Sequence, residues 1–357
     1  VTWLASRMSL NSLVQQLLPA QLYHRLKASP IVKRLAHGSA WSLFGSAISR
    51  ILVLLAMILV ARVLGQESFG EFGLIQATLG VAGLMAGLGL GGTATRFVAQ
   101  YAMTDSGRAG RIIALVQSVS IGAVLFVAGI LVVTSGLIAN VILEAPHLQT
   151  ALIWGTLLMA ATAFRGIQSG VLAGLEKFDL IAKLNIFDGV VAVVTMMALA
   201  YFKGVEGALL GLALGAIVAW LVGRVLLMDE LKTRGISICY KGCWSDWRIL
   251  TGYSLPSLLS GLVATPVHWF CMTLVARTPN GYAELGIYNA AYQWHGPMIF
   301  IPVTIMSVSI PVLVQEWESG RKEQFRKITL WVSGLILVLT LPLVLLVSIM
   351  SPWIMSF

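Results

Sequence analysis

The sequence predicts an all-α protein, a polytopic transmembrane helix bundle of about nine spans, on three observations. Apolar residues make up 58% of the 357 and charged residues only 11%, where a soluble chain puts close to a quarter of its residues into charge. Apolar windows of spanning length recur along almost the whole chain. The lysines and arginines fall almost wholly into alternate connections between those windows.

The windows lie at about 40–64, 71–95, 112–135, 149–173, 184–202, 207–228, 252–276, 285–313 and 328–350. At about 1.5 Å per residue each can cross a hydrocarbon core of roughly 30 Å. Residues 1–37 precede them as an N-terminal cytoplasmic or interfacial segment. Leu10, Leu13, Val14, Leu17 and Leu18 recur there at helical spacing, and Arg25, Lys27, Lys33 and Arg34 follow. That pattern suits a short helix lying on the inner leaflet; a translation start further downstream accounts for it equally well. A signal peptide is not expected, because the segment has no compact apolar core and no small-residue cleavage site.

With the N-terminus inside, nineteen of the 24 Lys and Arg residues fall on the inner side. Only Arg62, Lys203 and Arg277 fall outside, and Arg50 and Arg165 remain within the membrane. This asymmetry predicts a multi-pass membrane protein with a cytoplasmic N-terminus. It also accounts for the net charge of +9 without a nucleic-acid partner. Cys239 and Cys243 share a connection with no histidine beside them, so reduced bystander thiols are expected rather than a zinc site, and no metal or cofactor is predicted.

An internal repeat organises the spans. Residues 60–77 read VARVLGQESFGEFGLIQA and residues 275–290 read VARTPNGYAELGIYNA. Phe69, Glu71, Gly73, Gln76 and Ala77 correspond to Tyr282, Glu284, Gly286, Asn289 and Ala290 at an offset of 213. The offset maps the first span onto the seventh and predicts two pseudo-symmetric lobes, parallel repeats of the kind transporters use. Residues 38–230 form the first six-helix lobe, and 250–357 the first three helices of a second, incomplete lobe.

Arg50 is the residue of most interest. A cation halfway along an apolar span costs a few kcal/mol or more and generally faces a cavity or a partner. Ser42, Ser46 and Ser49 continue its helical face toward the inner side. In the fourth span Arg165 lies at comparable depth with Thr162 and Ser169 on its face and Gln168 beside it. Two arginines flanked by hydroxyls suit a diphosphate, through charge-assisted and often bidentate hydrogen bonds. For each, a structural pairing or snorkelling is the alternative. Thr265 and His268 in the seventh span, and Asn289 and Gln293 in the eighth, would offer hydrogen bonds to sugar hydroxyls, although any one of them also suits an ordinary interhelical bond. Of the fifteen acids only Asp188 lies inside a span, which favours an anion over an organic cation. Glycines at 80, 83, 87, 89, 91 and 92 give the second span close-approach spacing. No DxD, HExxH, GxSxG or P-loop motif is present, no connection exceeds about 25 residues, and an enzyme is not expected.

The stretches ARVLGQESFGEFGLIQA (61–77), GTATRFVAQY (92–101) and GIQSGVLAGLEKFD (166–179) resemble the polysaccharide flippase family. This is the O-antigen and capsule branch of the multidrug/oligosaccharidyl-lipid/polysaccharide exporter superfamily. The resemblance covers about residues 36–350 and implies movement of a polyprenyl-diphosphate-linked oligosaccharide from the inner to the outer leaflet by alternating access. It implies membrane lipid and a glycan polymerase of the same pathway as further partners. Family members carry twelve to fourteen helices, so this chain departs by lacking the last few. Rival expectations are a multidrug cation extruder of the same superfamily, which the scarcity of membrane carboxylates disfavours, and a membrane enzyme of the glycan pathway.

Overall fold

The computed structural model describes residues 48–355, and every regular element among them is helical. Helix α1 (48–64) ends at Gly65, whose φ of 77° suits glycine. Helix α2 (Gln66–Gly87) follows at once, and α3 (Leu90–Tyr101) continues it after a break at Leu88 and Gly89. Both break residues are left-handed, at φ 47° and 67°. The second apolar window is therefore two helices, divided within the run Gly87-Leu88-Gly89-Leu90-Gly91-Gly92.

Helix α4 (Ser106–Leu137) starts at an Asp105 cap whose carboxylate accepts from the Arg108 amide at 2.8 Å. Helix α5 is Gln149–Gly174, and α6 is Phe178–Thr233. Helix α6 is broken at Lys203 and Gly204. Beyond the break Gly207, Gly211 and Gly215 pack in turn against Leu199, Met196 and Ala192. Its two halves therefore form an antiparallel hairpin that covers the fifth and sixth windows.

A connection with a short turn at Cys243–Asp246 leads to α7 (Leu255–Ala276), α8 (Gly281–Tyr292), α9 (His295–Glu318) and α10 (Lys322–Met355). Six helical stretches among the described residues are long and apolar enough to cross a membrane. The first window is described only from residue 48, and the eighth is divided into α8 and α9 at Gln293–Trp294, just before Pro297. The expected N-terminal segment, 1–37, lies outside the described residues.

Most charged side-chain ties among the described residues gather at two rims, with largely apolar packing between them. At the upper rim Arg277 donates to the carbonyls of Val141 (2.7 Å) and Ile142 (3.2 Å) and approaches Glu144 at 3.5 Å. His147 meets Glu71 there at 2.6 Å. The Tyr282 hydroxyl donates to the Leu143 carbonyl at 2.6 Å. Burial, with Glu71 and Glu144 adding, pushes its pKa up to about 12, so it stays a donor across physiological pH. At the lower rim Arg108 pairs with Asp246 at 2.8 Å. Glu230 there takes both Lys177 (3.0 Å) and Arg234 (2.6 Å). Bonds to charged groups cost least near water, so ties gathered at two ends with hydrocarbon between them are what a bilayer selects.

The two repeat segments lie against each other. Gln66 donates to the Ala283 carbonyl at 3.1 Å, and Asn289 reaches the carbonyls of Phe69 and Gly70 at 3.4 and 3.5 Å. A side chain at Gly70 would overlap the Tyr282 carbonyl, and one at Gly286 would overlap that of Gln66. Helices α2 and α8 thus run side by side with contacts between residues whose numbers differ by close to the repeat offset. Only glycine permits so close an approach of two backbones.

Candidate functional site

A cavity of about 670 Å³ lies between α2, α5, the second half of α6 and the start of α7. Its walls are mostly glycine and aliphatic, with Gln76, Thr162 and Ser257 supplying polar groups. The size suits an ordered small ligand or part of a larger one. The glycine-rich spacing of α2 shapes this wall, since Gly80, Gly83 and Gly87 leave space where larger residues would fill it.

Arg50 stands at the seam between α1 and α9. Its guanidinium donates to the Gly296 carbonyl at 2.9 Å and lies 5.1 Å from the Phe300 ring centre. Arg50 is fourteen residues from the upper end of α1 and Gly296 fifteen beyond the start of α8, about 21 and 22 Å at helical rise. Both are at mid-depth, beside the break between α8 and α9. Among the described residues no carboxylate pairs with Arg50. Among the described residues its partners are one carbonyl and one ring face, which use few of its five donors.

Arg165 is placed differently. It pairs with Asp188 at 2.7 Å, joining α5 to the first half of α6, with about a fifth of each side chain exposed. The one acid that the sequence places inside a span is therefore the counter-ion of one of the two membrane arginines. Gly189, next to Asp188, packs against Leu52 and lies near the Ser49 hydroxyl. Arg165 and the helix that carries Arg50 thus meet one short stretch of α6, but the two arginines engage different partners.

The other expected site residues divide three ways. Thr162 lines the cavity, and its hydroxyl donates to carbonyls of its own helix, Leu158 and Met159, both at 2.9 Å. Gln168 and Asn289 are buried helix-to-helix ties: Gln168 donates to the Trp220 carbonyl at 3.1 Å, and Asn289 serves the α2–α8 seam. Thr265 sits where α7 meets α2, its methyl 3.9 Å from the position a side chain at Gly80 would take. Ser169 is half-buried on α5 and Gln293 half-buried at the α8–α9 break. Ser46 lies outside the described residues.

His268 joins a ladder of rings. Its centre is 4.7 Å from Tyr292, which is 5.1 Å from His295, while Tyr288 lies 5.8 Å from Tyr292 and its hydroxyl 3.3 Å from the His268 Nδ1. Gln76 enters the sequence reading only through the repeat motif, yet it lines the cavity; Ser257, two turns before Thr265 on α7, lines it as well. The i, i+4 relation of Gln76 to Gly80, on the glycine face of α2, was the signal available.

Comparison with known proteins follows this geometry. The family model for "Polysaccharide biosynthesis protein" matches residues 35–317. Over 280 residues the chain is 26% identical to the "Putative O-antigen transporter" of Shigella flexneri, covering 77% of this chain and 65% of that one. Over 120 residues it is 29% identical to the EPS I polysaccharide export inner membrane protein EpsE of Ralstonia solanacearum, covering 32% of this chain and 28% of that one. The chain thus spans under two thirds of the length of each of these relatives. Among solved structures, an inward-facing multidrug resistance MATE family transporter of the MOP superfamily superposes with a TM-score of 0.70 at 19% identity, over 85% of this chain and 71% of that one. A MOP superfamily transporter from Pyrococcus furiosus gives 0.65 at 19% identity, over 90% and 73%. These likenesses show the fold: an all-helical, multi-pass membrane bundle of the MATE type.

Proposed function

We propose that this chain, which belongs to the polysaccharide biosynthesis protein family, is a flippase that carries a polyprenyl-diphosphate-linked oligosaccharide across the bacterial inner membrane by alternating access. The observation that carries the reading is Arg50. It is a mid-depth cation without a carboxylate partner among the described residues, at a seam between a helix of the first repeat and one of the second. An anionic head group arriving there would replace one carbonyl contact with charge-assisted bonds, each worth about 1.5–3 kcal/mol.

The glycine-walled cavity beside α5 would accept sugar hydroxyls through Gln76, Thr162 and Ser257. The parallel packing of α2 on α8 supports two lobes, 38–230 and 250–357, that rock about that seam as repeats do in other transporters. The inner-side excess of Lys and Arg supports a cytoplasmic N-terminus. The names of the Ralstonia and Shigella relatives support a glycan cargo, and a polymerase of the same pathway is the expected consumer of the product. A multidrug cation extruder fits less well, because Asp188, the acid inside a span, already has a counter-ion in Arg165.

The test is export in cells carrying the whole gene, with protein level measured in parallel. Arg50→Ala should cut surface polysaccharide more than tenfold at unchanged protein level. Arg50→Lys should recover only part, since a point charge does not reproduce the planar fork. Undiminished export by Arg50→Ala would overturn the head-group assignment.

A further inference from the structure

The structure points to a second feature, on the opposite face of α2 from the cavity just described. A groove of about 910 Å³ lies between α2, α4 and α7. On α2 its wall is Thr78, Val81, Ala82, Met85 and Leu88, whereas Leu79, Gly80, Gly83, Leu84 and Gly87 face the other cavity. One helix therefore separates the two spaces. Along α4 the groove follows Ser118, Gly122, Phe126, Ile130, Thr134 and Ile138, a run of every fourth residue down one helical face, and it reaches Ile142. From Ser118 to Ile142 at helical rise is about 36 Å, enough to cross the roughly 30 Å hydrocarbon core. The groove is apolar, and Phe126 and Ile130 are 69% and 47% exposed in it.

Its lower end and its inner edge are distinctive. At the lower rim Trp244 and Leu250 line the mouth. The connection that holds them also carries exposed Lys241 and Arg248, a basic segment on the same rim as the mouth. Along the edge between α2 and α7, the Trp269 indole N–H donates to the Thr78 hydroxyl at 2.9 Å, and both residues line the groove. The same edge brings Thr265 to Gly80 and Leu84 to Gly261, and at its lower end Gly89 lies against Ser254 and Ser257 while the Thr93 and Ser254 hydroxyls meet at 2.6 Å. At its lower end is the Leu88–Gly89 break. Leu88, a non-glycine at φ 47°, lines the groove, and Gly87 and Gly89 line the cavity. Left-handed backbone at a leucine is strained and suits a hinge.

We propose that this groove holds the polyprenyl chain of the lipid-linked substrate, and that the α2–α7 edge is the lateral portal joining tail to head group. The identity of the tail rests on the flippase reading above. The groove has the depth of the membrane, an apolar wall along its length with an indole at its mouth, and an edge with a backbone break one helix away from the space that would take the polar part.

The experiment uses purified full-length protein in phosphatidylethanolamine/phosphatidylglycerol vesicles with two photoreactive probes, a diazirine-bearing polyprenyl diphosphate and a diazirine-bearing phosphatidylglycerol. The polyprenyl probe should label the 118–138 segment of α4, and tenfold excess of unlabelled polyprenyl diphosphate should remove most of that label. A side chain at Gly122 would meet only open space, so Gly122→Trp should fill the groove and reduce labelling at least tenfold. Ala123→Leu, a smaller addition near the same wall, should reduce it several-fold and stands in if Gly122→Trp does not fold. A third probe, a diazirine-bearing polyprenol, which has the tail and no diphosphate, should label the same segment with or without Arg50→Ala, so loss of head-group binding and loss of tail binding are separate results. A Gly80→Cys/Thr265→Cys pair, oxidised to close the edge, should block export reversibly by reductant and leave labelling intact. Equal labelling by the phosphatidylglycerol probe, labelling indifferent to both filling variants, or full export with the edge cross-linked would overturn the proposal.

Discussion

Arg50 and Arg165 are twins in the sequence and opposites in the fold. Each is a cation near the middle of an apolar span, with hydroxyl residues on its helical face. In the structure Arg165 has a carboxylate at 2.7 Å, while Arg50 has a carbonyl and a ring. An ion pair largely cancels its own field, so the α5–α6 junction is electrostatically quiet and the α1–α9 seam is not. On the proposed reading of Arg50, the comparison teaches that a membrane cation becomes a binding group by what the fold withholds from it. Chain depth and flanking hydroxyls do not distinguish the two cases.

The largest expected difference is in transport. In one export assay Arg50→Ala should fall more than tenfold, whereas Arg165→Met with Asp188→Leu should keep at least half of normal export. If the double variant fails at normal protein level and Arg50→Ala does not, the roles of the two regions are exchanged.

Stability should show the reverse order. Removing one member of a fully buried pair costs about 3–5 kcal/mol, because the partner is left charged and uncompensated. Here each side chain keeps about a fifth of its surface exposed, so Asp188→Asn alone should cost about 1–3 kcal/mol. The double replacement should return most of that, and Arg50→Ala should stay within about 0.5 kcal/mol of the parent. Thermal unfolding of detergent-purified protein measures all three. An Asp188→Asn variant as stable as the parent would mean that the pair ties nothing together.

Much of this is legible in the sequence. The helical class and the membrane-spanning character followed from composition and window length, because a bilayer demands long apolar helices whatever they pack against. The kinship of residues 60–77 with 275–290 was visible as an offset, and those segments turn out to be packing partners. What could not be read was contact across distant helices. Nothing local says that Asp188, 23 residues after Arg165, turns its carboxylate to it. Nothing local says that Gln168 points into helix packing while Thr162, six residues earlier, opens onto a cavity. The break at Leu88–Gly89 was signalled by its glycines, but glycine spacing suits an unbroken close-packed helix equally well, and only the two left-handed residues decide it.

The smallest effect sharpens the same lesson within one helix. Thr162 and Gln168 both lie on α5 and are both expected from sequence to touch substrate. Thr162 faces the cavity, but its hydroxyl proton is already given to Leu158 or Met159, so toward a ligand it is mainly an acceptor. Thr162→Val keeps the shape and removes one neutral hydrogen bond, about 0.5–1.5 kcal/mol if a sugar hydroxyl uses it. Export should therefore drop between two- and tenfold with thermal stability unchanged. Gln168 is 6% exposed, its amide is spent on the Trp220 carbonyl, and its oxygen packs against Gly223. Gln168→Leu should lower thermal stability by about 1 kcal/mol through that lost tie, while export per molecule of protein stays near normal. An opposite result, with Gln168→Leu stable but impaired in export and Thr162→Val silent, would place the substrate between α5 and α6 rather than in the cavity beside α2.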